Sequence, residues 1–230
     1  MITKKDIKDV IRDSLGLEEE KEKVVTESLV LQKKKFDLPT ELLTPKNKKA
    51  HQDLYENYVN TFNRVSAELD AASRDEANLN YSHFRCLKVD ETYNMNAAYL
   101  HELYFNNISD VQSEISMNTL SFMRLERDFG TFDQWQEDFI ACAMSARNGW
   151  VVTGYNTYTQ RYMNIVVDLH NGNIPVGFYP AIVLDVWEHA YYRDYLSKRK
   201  SYVFAMMKEL NWGVIDDRFK RAEQIAKALK

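Results

Sequence analysis

The sequence predicts an α+β protein in which a long N-terminal α-hairpin precedes an α/β domain with a small three-stranded antiparallel sheet flanked by helices. Chain breakers are few, with 7 Gly and 4 Pro in 230 residues, and this favours long helices over a fold with many turns. Apolar residues recur at helical spacing through most of the first half. Three short β-branched or aromatic runs, bounded by Asn and Gly, then lie close together between residues 149 and 184.

The first 34 residues form a highly charged extension, with an acidic run at 18–20 and a basic run at 33–35. Helical spacing of apolar residues predicts an amphipathic helix over 3–15 and a second over 18–33. Two interpretations remain open for this segment: a solvated extension, or an arm that docks on a further partner.

Residues 35–113 are predicted to form the helical hairpin domain. Thr44 and Pro45 are typical of a helix start, with Thr as the N-cap and Pro at the first helical position. The polar string SRDEANLN separates two predicted helices, over 45–70 and 91–107. Two long helices with a short connection pack as an antiparallel pair.

Residues 114–230 are predicted to form the α/β domain. The predicted helices cover 115–129, 132–145, 188–210 and 216–229, and the predicted strands cover 149–155, 163–169 and 180–184.

Composition excludes several classes of protein. No apolar run approaches the roughly 20 residues that cross a bilayer, so no membrane association is expected, and the N-terminus lacks the features of a secretory signal. Two cysteines, Cys86 and Cys142, are too few for a disulfide framework and indicate a reduced, cytoplasmic setting. A net charge of −4 gives no electrostatic reason to expect nucleic acid as a partner.

A candidate metal-binding pair follows the third predicted strand. Asp185 and His189 stand four residues apart, directly after the apolar run at 181–184. A strand that ends in such a pair presents an oxygen and a nitrogen ligand at a sheet edge. This spacing is common by chance, so the pair alone is weak support for a metal site.

The string around this pair is much more specific. DVWEHAYY, at 185–192, resembles the C-terminal signature of iron and manganese superoxide dismutases, and the similarity extends over roughly residues 35–225. Five further strings resemble segments of that family in the same order: HQDLYENYVNTFN, LHELYFNNI, LERDFGTFDQWQEDFIACA, NGWVV and NWGVIDDRF.

The resemblance implies four metal ligands: His51 and His101, one on each helix of the hairpin, together with Asp185 and His189. Three imidazoles and one carboxylate suit iron or manganese, and the absence of thiolates argues against a structural zinc site. One ion is expected per subunit. His83, in the turn-rich stretch, is expected to be an ordinary surface histidine.

The activity implied is the disproportionation of superoxide, a small anion, to oxygen and hydrogen peroxide. Tyr58 matches the family's gateway tyrosine, and Trp150 and Trp187 match aromatic residues that wall the site. Many iron enzymes of the family carry Gln where this chain has Ala97. His170, in the loop after the second predicted strand, is therefore the candidate for the hydrogen bond to metal-bound solvent. The choice between iron and manganese stays open.

The resemblance also implies a homodimer. Glu188 and Tyr191 match residues that bridge the two subunits, with Glu188 contacting the partner's metal-ligating histidine. Where many members place a histidine that pairs with the partner's tyrosine, this chain offers Leu54 or Tyr55. A tryptophan usual after the second-helix ligand is here Phe105.

Two other classes of function stay open at this point. One is a structural or assembly protein built on the same fold, with a vestigial or stabilising metal site. The other is a different metalloenzyme, such as an oxygen-activating one. Retention of all four ligand types favours the dismutase, because a redundant site would be free to lose one.

Overall fold

A computed structural model describes residues 29–108 and 113–228, where the chain forms seven helices and three strands. In chain order these are α1 (Pro45–Ala71), α2 (His83–Asn107), α3 (Leu120–Phe129), α4 (Phe132–Ser145), β1 (Gly149–Asn156), β2 (Arg161–Asp168), β3 (Phe178–Asp185), α5 (Glu188–Tyr195), α6 (Arg199–Lys208) and α7 (Trp212–Ala228). The predicted α+β class and the three-stranded antiparallel sheet are confirmed.

The helical hairpin starts as the sequence predicts. The Thr44 hydroxyl accepts the Asn47 backbone N–H at 3.3 Å, and Pro45 is the first helical residue. The second helix begins at His83 rather than at 91, because the Ser82 hydroxyl caps it by accepting the Arg85 backbone N–H at 3.3 Å. The two helices pack along each other, and His51, near the start of α1, lies against His101, in the later part of α2, with a ring-centroid distance of 5.1 Å.

The segment before α1 is irregular. The predicted helix over 18–33 is wrong for residues 29–33, whose backbone bonds to side chains of α1 instead of to itself, as between Leu31 and Asn63. The remainder of that prediction, and the helix predicted over 3–15, lie outside the described residues.

The sheet has the order β2-β1-β3, with both pairings antiparallel. Every residue of the central strand β1 is buried. In the β1–β3 register Trp150 lies opposite Asp185, so the last residue of β3 is held against the start of β1. That pairing delivers a carboxylate to the end of the sheet that faces the helical hairpin.

The helices around the sheet depart from prediction at their ends. The single helix predicted over 188–210 is two helices, α5 and α6, because Leu196 adopts a left-handed backbone with φ of 51°. Its N–H still bonds to the Tyr192 carbonyl, at 3.1 Å. A non-glycine break of this kind leaves no composition signal. Helix α3 begins at Leu120 rather than 115, capped by Thr119, and α7 begins at Trp212 rather than 216.

One hydrophobic core joins the hairpin to the sheet and to the later helices, with Tyr104, Trp135 and Trp150 among its fully buried side chains. A smaller cluster around Leu69 closes the far end of the hairpin. Within the described part of the chain, no helix is long and apolar enough to cross a membrane. Both cysteines are free thiols.

Candidate metal centre

Four side chains from four elements meet where the hairpin faces the sheet. His51 lies on α1, His101 on α2, Asp185 at the end of β3 and His189 in the first turn of α5. One potential ligand atom from each lies within 4.8 Å of the others. The four residues that the resemblance implied as ligands are thus brought together.

The imidazoles converge on a single carboxylate oxygen. Asp185 Oδ2 lies 3.1 Å from Nε2 of His51, 3.1 Å from Nε2 of His189 and 3.7 Å from Nε2 of His101. The other oxygen of this carboxylate, Oδ1, accepts the backbone N–H of Trp187 at 2.9 Å. One oxygen therefore orients Asp185, and the other faces the three nitrogens.

The tautomer of His101 follows from its second nitrogen. Nδ1 lies 2.6 Å from the Ala97 carbonyl, which can only accept, so Nδ1 carries the proton. The buried Nε2 is then a bare acceptor, and no hydrogen-bond donor from residues 29–108 or 113–228 reaches it. Buried polar atoms seldom lack a partner. A cation at the point where the four ligand atoms converge would supply one, so the residues present fit a metal ion.

The protonation states also suit metal binding. Burial lowers the pKa of His51 and lowers that of His101 well below its usual value. Burial acts to raise the pKa of Asp185, but the adjacent His189 and His51 imidazoles outweigh it and hold that pKa well below its usual range. Neutral imidazoles and an ionised carboxylate are the forms that bind metals.

A second polar group lies next to these four residues. His170 is fully buried, and Leu169 before it adopts a left-handed backbone, with φ of 58°, that turns the chain inward after β2. The Trp150 indole N–H donates to His170 Nδ1 at 3.1 Å, and His170 Nε2 lies 3.0 Å from the Tyr58 hydroxyl. Burial lowers the pKa of His170 to about 4, so the ring is neutral and Nε2–H donates to Tyr58.

Aromatic rings enclose the four-residue cluster. Trp150 contacts His101 edge-on at a centroid distance of 4.9 Å, and Trp187 stacks on His189 at 5.7 Å. Sequence reasoning missed Tyr93, whose ring lies 4.8 Å from that of His170. Its position two helical turns before the α2 ligand was the available signal, because residues at that spacing share a face.

His83 and Tyr191 lie outside the four-residue cluster. His83 is exposed at the start of α2, as expected for a surface residue. Tyr191, expected to bridge two subunits, is only 4% exposed: its ring stacks on Tyr202 at 5.3 Å and its hydroxyl accepts from Arg199. The expectation for Tyr191 is therefore wrong, because its side chain is buried within its own chain.

The adjacent tyrosine occupies the surface instead. Tyr192 is 51% exposed and, with Glu188 and Leu54, lines a surface cavity of about 510 Å³ that also borders two of the histidines of the cluster. Of the two residues that sequence reasoning offered at the position of the family's pairing histidine, Leu54 lines this cavity, whereas Tyr55 is fully buried.

Comparison with known proteins agrees with this geometry. Residues 119–218 match the family described as iron/manganese superoxide dismutases, C-terminal domain. An iron superoxide dismutase of Aquifex pyrophilus is 37% identical over 179 residues, which cover 76% of this chain and 83% of that protein. A manganese superoxide dismutase of Haloferax volcanii is 31% identical over 175 residues, covering 76% and 85% respectively. An iron superoxide dismutase of Methanothermobacter thermautotrophicus is 31% identical over 173 residues, covering 74% and 82%. The chain belongs to the iron/manganese superoxide dismutase family.

Proposed function

We propose that His51, His101, Asp185 and His189 hold the iron or manganese ion with which this superoxide dismutase converts superoxide to oxygen and hydrogen peroxide. The observation that carries the assignment is the convergence of three imidazole Nε2 atoms on one carboxylate oxygen. Burial of an otherwise unpartnered His101 Nε2 at the same point supports it. A protein that kept this fold only for assembly would not need all four metal ligands.

The bound metal supplies the one-electron oxidation of one superoxide and the one-electron reduction of the next. The protein supplies the charge and shape around it. The Asp185 carboxylate brings a single negative charge into a site that is otherwise apolar or neutral, which partly balances the charge of a cation in a medium of low dielectric constant. The His51 and His101 imidazoles add no charge of their own, because burial lowers the pKa of both.

We assign Tyr58 and His170 to the supply and orientation of protons, since the overall reaction consumes two protons for each hydrogen peroxide formed. Because His170 Nε2–H donates to the Tyr58 oxygen, the hydroxyl proton of Tyr58 points to another acceptor. Burial raises the pKa of Tyr58, so the hydroxyl stays protonated at neutral pH and serves as a donor. The ring of Tyr58 lies 5.3 Å from that of His101, which places this donor beside the proposed ligands.

The ligand assignment is tested by a matched pair of histidine variants. His189→Ala should lose the metal and the activity, whereas His83→Ala, at an exposed position outside the cluster, should keep both. Metal content by mass spectrometry and superoxide consumption are measured on the same preparations reconstituted separately with iron and with manganese. A His189→Ala protein that keeps one ion per chain and full activity would overturn the assignment.

A homodimer is part of the proposal. Glu188 and Tyr192 are exposed beside the proposed metal ligands, where a partner subunit would reach them. Sedimentation of Glu188→Ala should show weaker self-association than the native chain, while Glu137→Ala, an exposed carboxylate on α4, should behave as the native chain does. A native chain that sediments as a monomer at micromolar concentration would contradict the dimer.

The cytoplasmic setting stays a prediction. The free thiols of Cys86 and Cys142 accord with a reduced compartment. Docking by the N-terminal extension also stays a prediction, because residues 1–28 lie outside the described part of the chain.

A further inference from the structure

The irregular segment at residues 29–38, which we call the strap, lies along α1 in a fixed register. The Leu31 backbone N–H donates to Asn63 Oδ1 at 2.8 Å, and Asn63 Nδ2 donates back to the Leu31 carbonyl at 3.0 Å. Two residues earlier, the Leu29 N–H donates to Ser66 Oγ. A reciprocal pair of this kind satisfies both backbone groups of one residue and prevents the strap from sliding along the helix.

Further along, the strap reaches a polar cluster that joins the two helices of the hairpin. The Lys34 backbone N–H donates to the Tyr55 hydroxyl at 3.1 Å, and that hydroxyl donates to Glu102 Oε1 at 2.9 Å. The Lys34 ammonium lies 2.5 Å from the other oxygen of Glu102. Tyr55 follows His51 by one helical turn, and Glu102 follows His101 directly, so the cluster ties together the segments that carry two of the proposed ligands.

The strap also reaches these segments through packed rings. Phe36 lies edge-on to Tyr55 at a centroid distance of 5.6 Å and 5.1 Å from Phe105. Phe105 in turn lies edge-on to His51 at 5.0 Å. Tyr55 and Phe105 are fully buried, so the rings form a continuous contact from the strap to a ligand imidazole. Close-packed rings transmit displacement because interiors hold few voids.

We infer that Lys34, Phe36, Tyr55 and Glu102 are positioning residues: the strap locks α1 to α2 behind the metal centre and thereby sets metal affinity. The inference rests on the proposed ligand set. None of the four touches the reacting atoms, so their effect reaches the ion through the orientation of His51 and His101. Partners that orient metal ligands typically change affinity by about 10- to 100-fold when they are removed.

The strap supplies its own control. Lys33 and Lys34 are neighbours on the strap, and each pairs with a glutamate. Lys33 pairs with Glu56 of α1, and these two side chains are 44% and 45% exposed. The Lys34 partner, Glu102, is only 15% exposed and adjoins a ligand. Replacing either lysine by methionine removes one charge and one strap contact, and only the second replacement reaches the polar cluster.

The test uses the full-length apoprotein titrated with Mn²⁺ alone. Lys34→Met should raise the Mn²⁺ dissociation constant about 10-fold and alter the electron paramagnetic resonance spectrum of the bound ion. Lys33→Met should leave both as in the native chain. The unfolding temperatures of the two apoproteins should agree, which separates positioning from a general loss of stability.

Two variants of the helices complete the test. Tyr55→Phe should raise the Mn²⁺ dissociation constant as Lys34→Met does. The double variant, Lys34→Met with Tyr55→Phe, should bind Mn²⁺ no more weakly than either single variant, because both substitutions break the same polar cluster. Glu102→Gln keeps an acceptor for Tyr55 and should retain most of the affinity that Glu102→Ala loses. If the native chain binds Mn²⁺ and the Lys33→Met and Lys34→Met proteins bind it with equal affinity, the positioning inference is overturned and the ligand set stands. If the native chain binds no Mn²⁺, the ligand set is overturned as well.

Discussion

The hydroxyl of Tyr58 and Nε2 of His170 lie 3.0 Å apart, which joins α1 to the loop that follows β2. The Trp150 indole N–H occupies Nδ1 of the same ring, so the imidazole is held from both sides and in one tautomer. The Tyr58 hydroxyl is thereby held beside the proposed ligands. The fixing group is a neutral donor, which leaves the charge of the metal centre unchanged.

Tyr58→Phe should separate the role of this hydroxyl from metal retention. The variant keeps the ring that packs beside His101 and loses only the oxygen held by His170, so metal content should be unchanged. Turnover of superoxide, measured by pulse radiolysis, should fall by roughly 10-fold, as for other lost hydrogen-bonding partners near a metal. Tyr81→Phe, at a 96% exposed position, is the control. Equal turnover in all three proteins would remove Tyr58 from the mechanism.

His170→Ala should lower the free energy of unfolding without removing the metal. The substitution leaves a cavity and strips the buried Trp150 N–H of its acceptor. Cavity formation and an unsatisfied buried donor together cost about 2–4 kcal/mol. Urea unfolding of the apoprotein measures this loss, while metal content should be retained because no proposed ligand is removed. A loss below about 0.5 kcal/mol would show that the ring is not held as tightly as its two hydrogen bonds indicate.

Much of this molecule could be predicted from its sequence, and the failures have local causes. The hairpin and sheet followed from periodicity, and the four proposed ligands followed from motifs around His51, His101 and the third strand. The start of α2 was missed because its cap, Ser82, comes only two residues after the polar string SRDEANLN, which favours loop. The break at Leu196 was missed because a non-glycine residue with positive φ is set by tertiary packing.

The choice between two adjacent tyrosines illustrates the same limit. Tyr191 and Tyr192 cannot be told apart by composition, and only the position of α6 decides which of them is covered. Tyr202 from α6 stacks on the first and leaves the second exposed. Neither the sequence motif nor the helical periodicity predicts where α6 packs.

Asp194→Ala should weaken the contact between α1 and α5, the helices that carry His51 and His189. One oxygen of Asp194, on α5, accepts the Thr44 hydroxyl at 2.7 Å, and the other accepts the Thr44 N–H at 2.9 Å and the Asn47 side-chain amide at 3.0 Å. A carboxylate at the N-terminus of α1 also interacts favourably with the helix dipole. Loss of these bonds should lower the free energy of unfolding by about 1–3 kcal/mol, as measured by urea titration.

The control for that variant is a carboxylate in an ordinary surface pair. Asp53 pairs with Lys49 one turn away on α1, and both side chains are more than half exposed. Asp53→Ala should change stability by less than about 0.5 kcal/mol. Equal effects of the two substitutions would show that the link between α1 and α5 contributes no more than a solvated ion pair.

Glu223→Gln should destabilise the protein in a pH-dependent way. Arg124 on α3 donates through Nε and Nη2 to the two carboxylate oxygens of Glu223 on α7, and both side chains are less than a third exposed. The hydrogen bond from Arg124 lowers the pKa of Glu223 in the folded chain. A two-bond pair of this kind is worth about 1 kcal/mol at neutral pH after allowance for partial exposure.

The sign of the pH effect follows from that lowered pKa. An unfolded Glu titrates near pH 4.3, so above that pH both states are ionised and the pair contributes fully. As the pH falls, the unfolded chain takes up the proton first, and the contribution of the pair is lost as the pH falls through the folded pKa. The difference in unfolding free energy between native and Glu223→Gln proteins should therefore be constant from pH 8 to about pH 5 and shrink below it. Urea titrations at pH 7, 5 and 3.5 measure it, and a difference that stays constant to the lowest pH would show that the ionised pair does not hold α3 against α7.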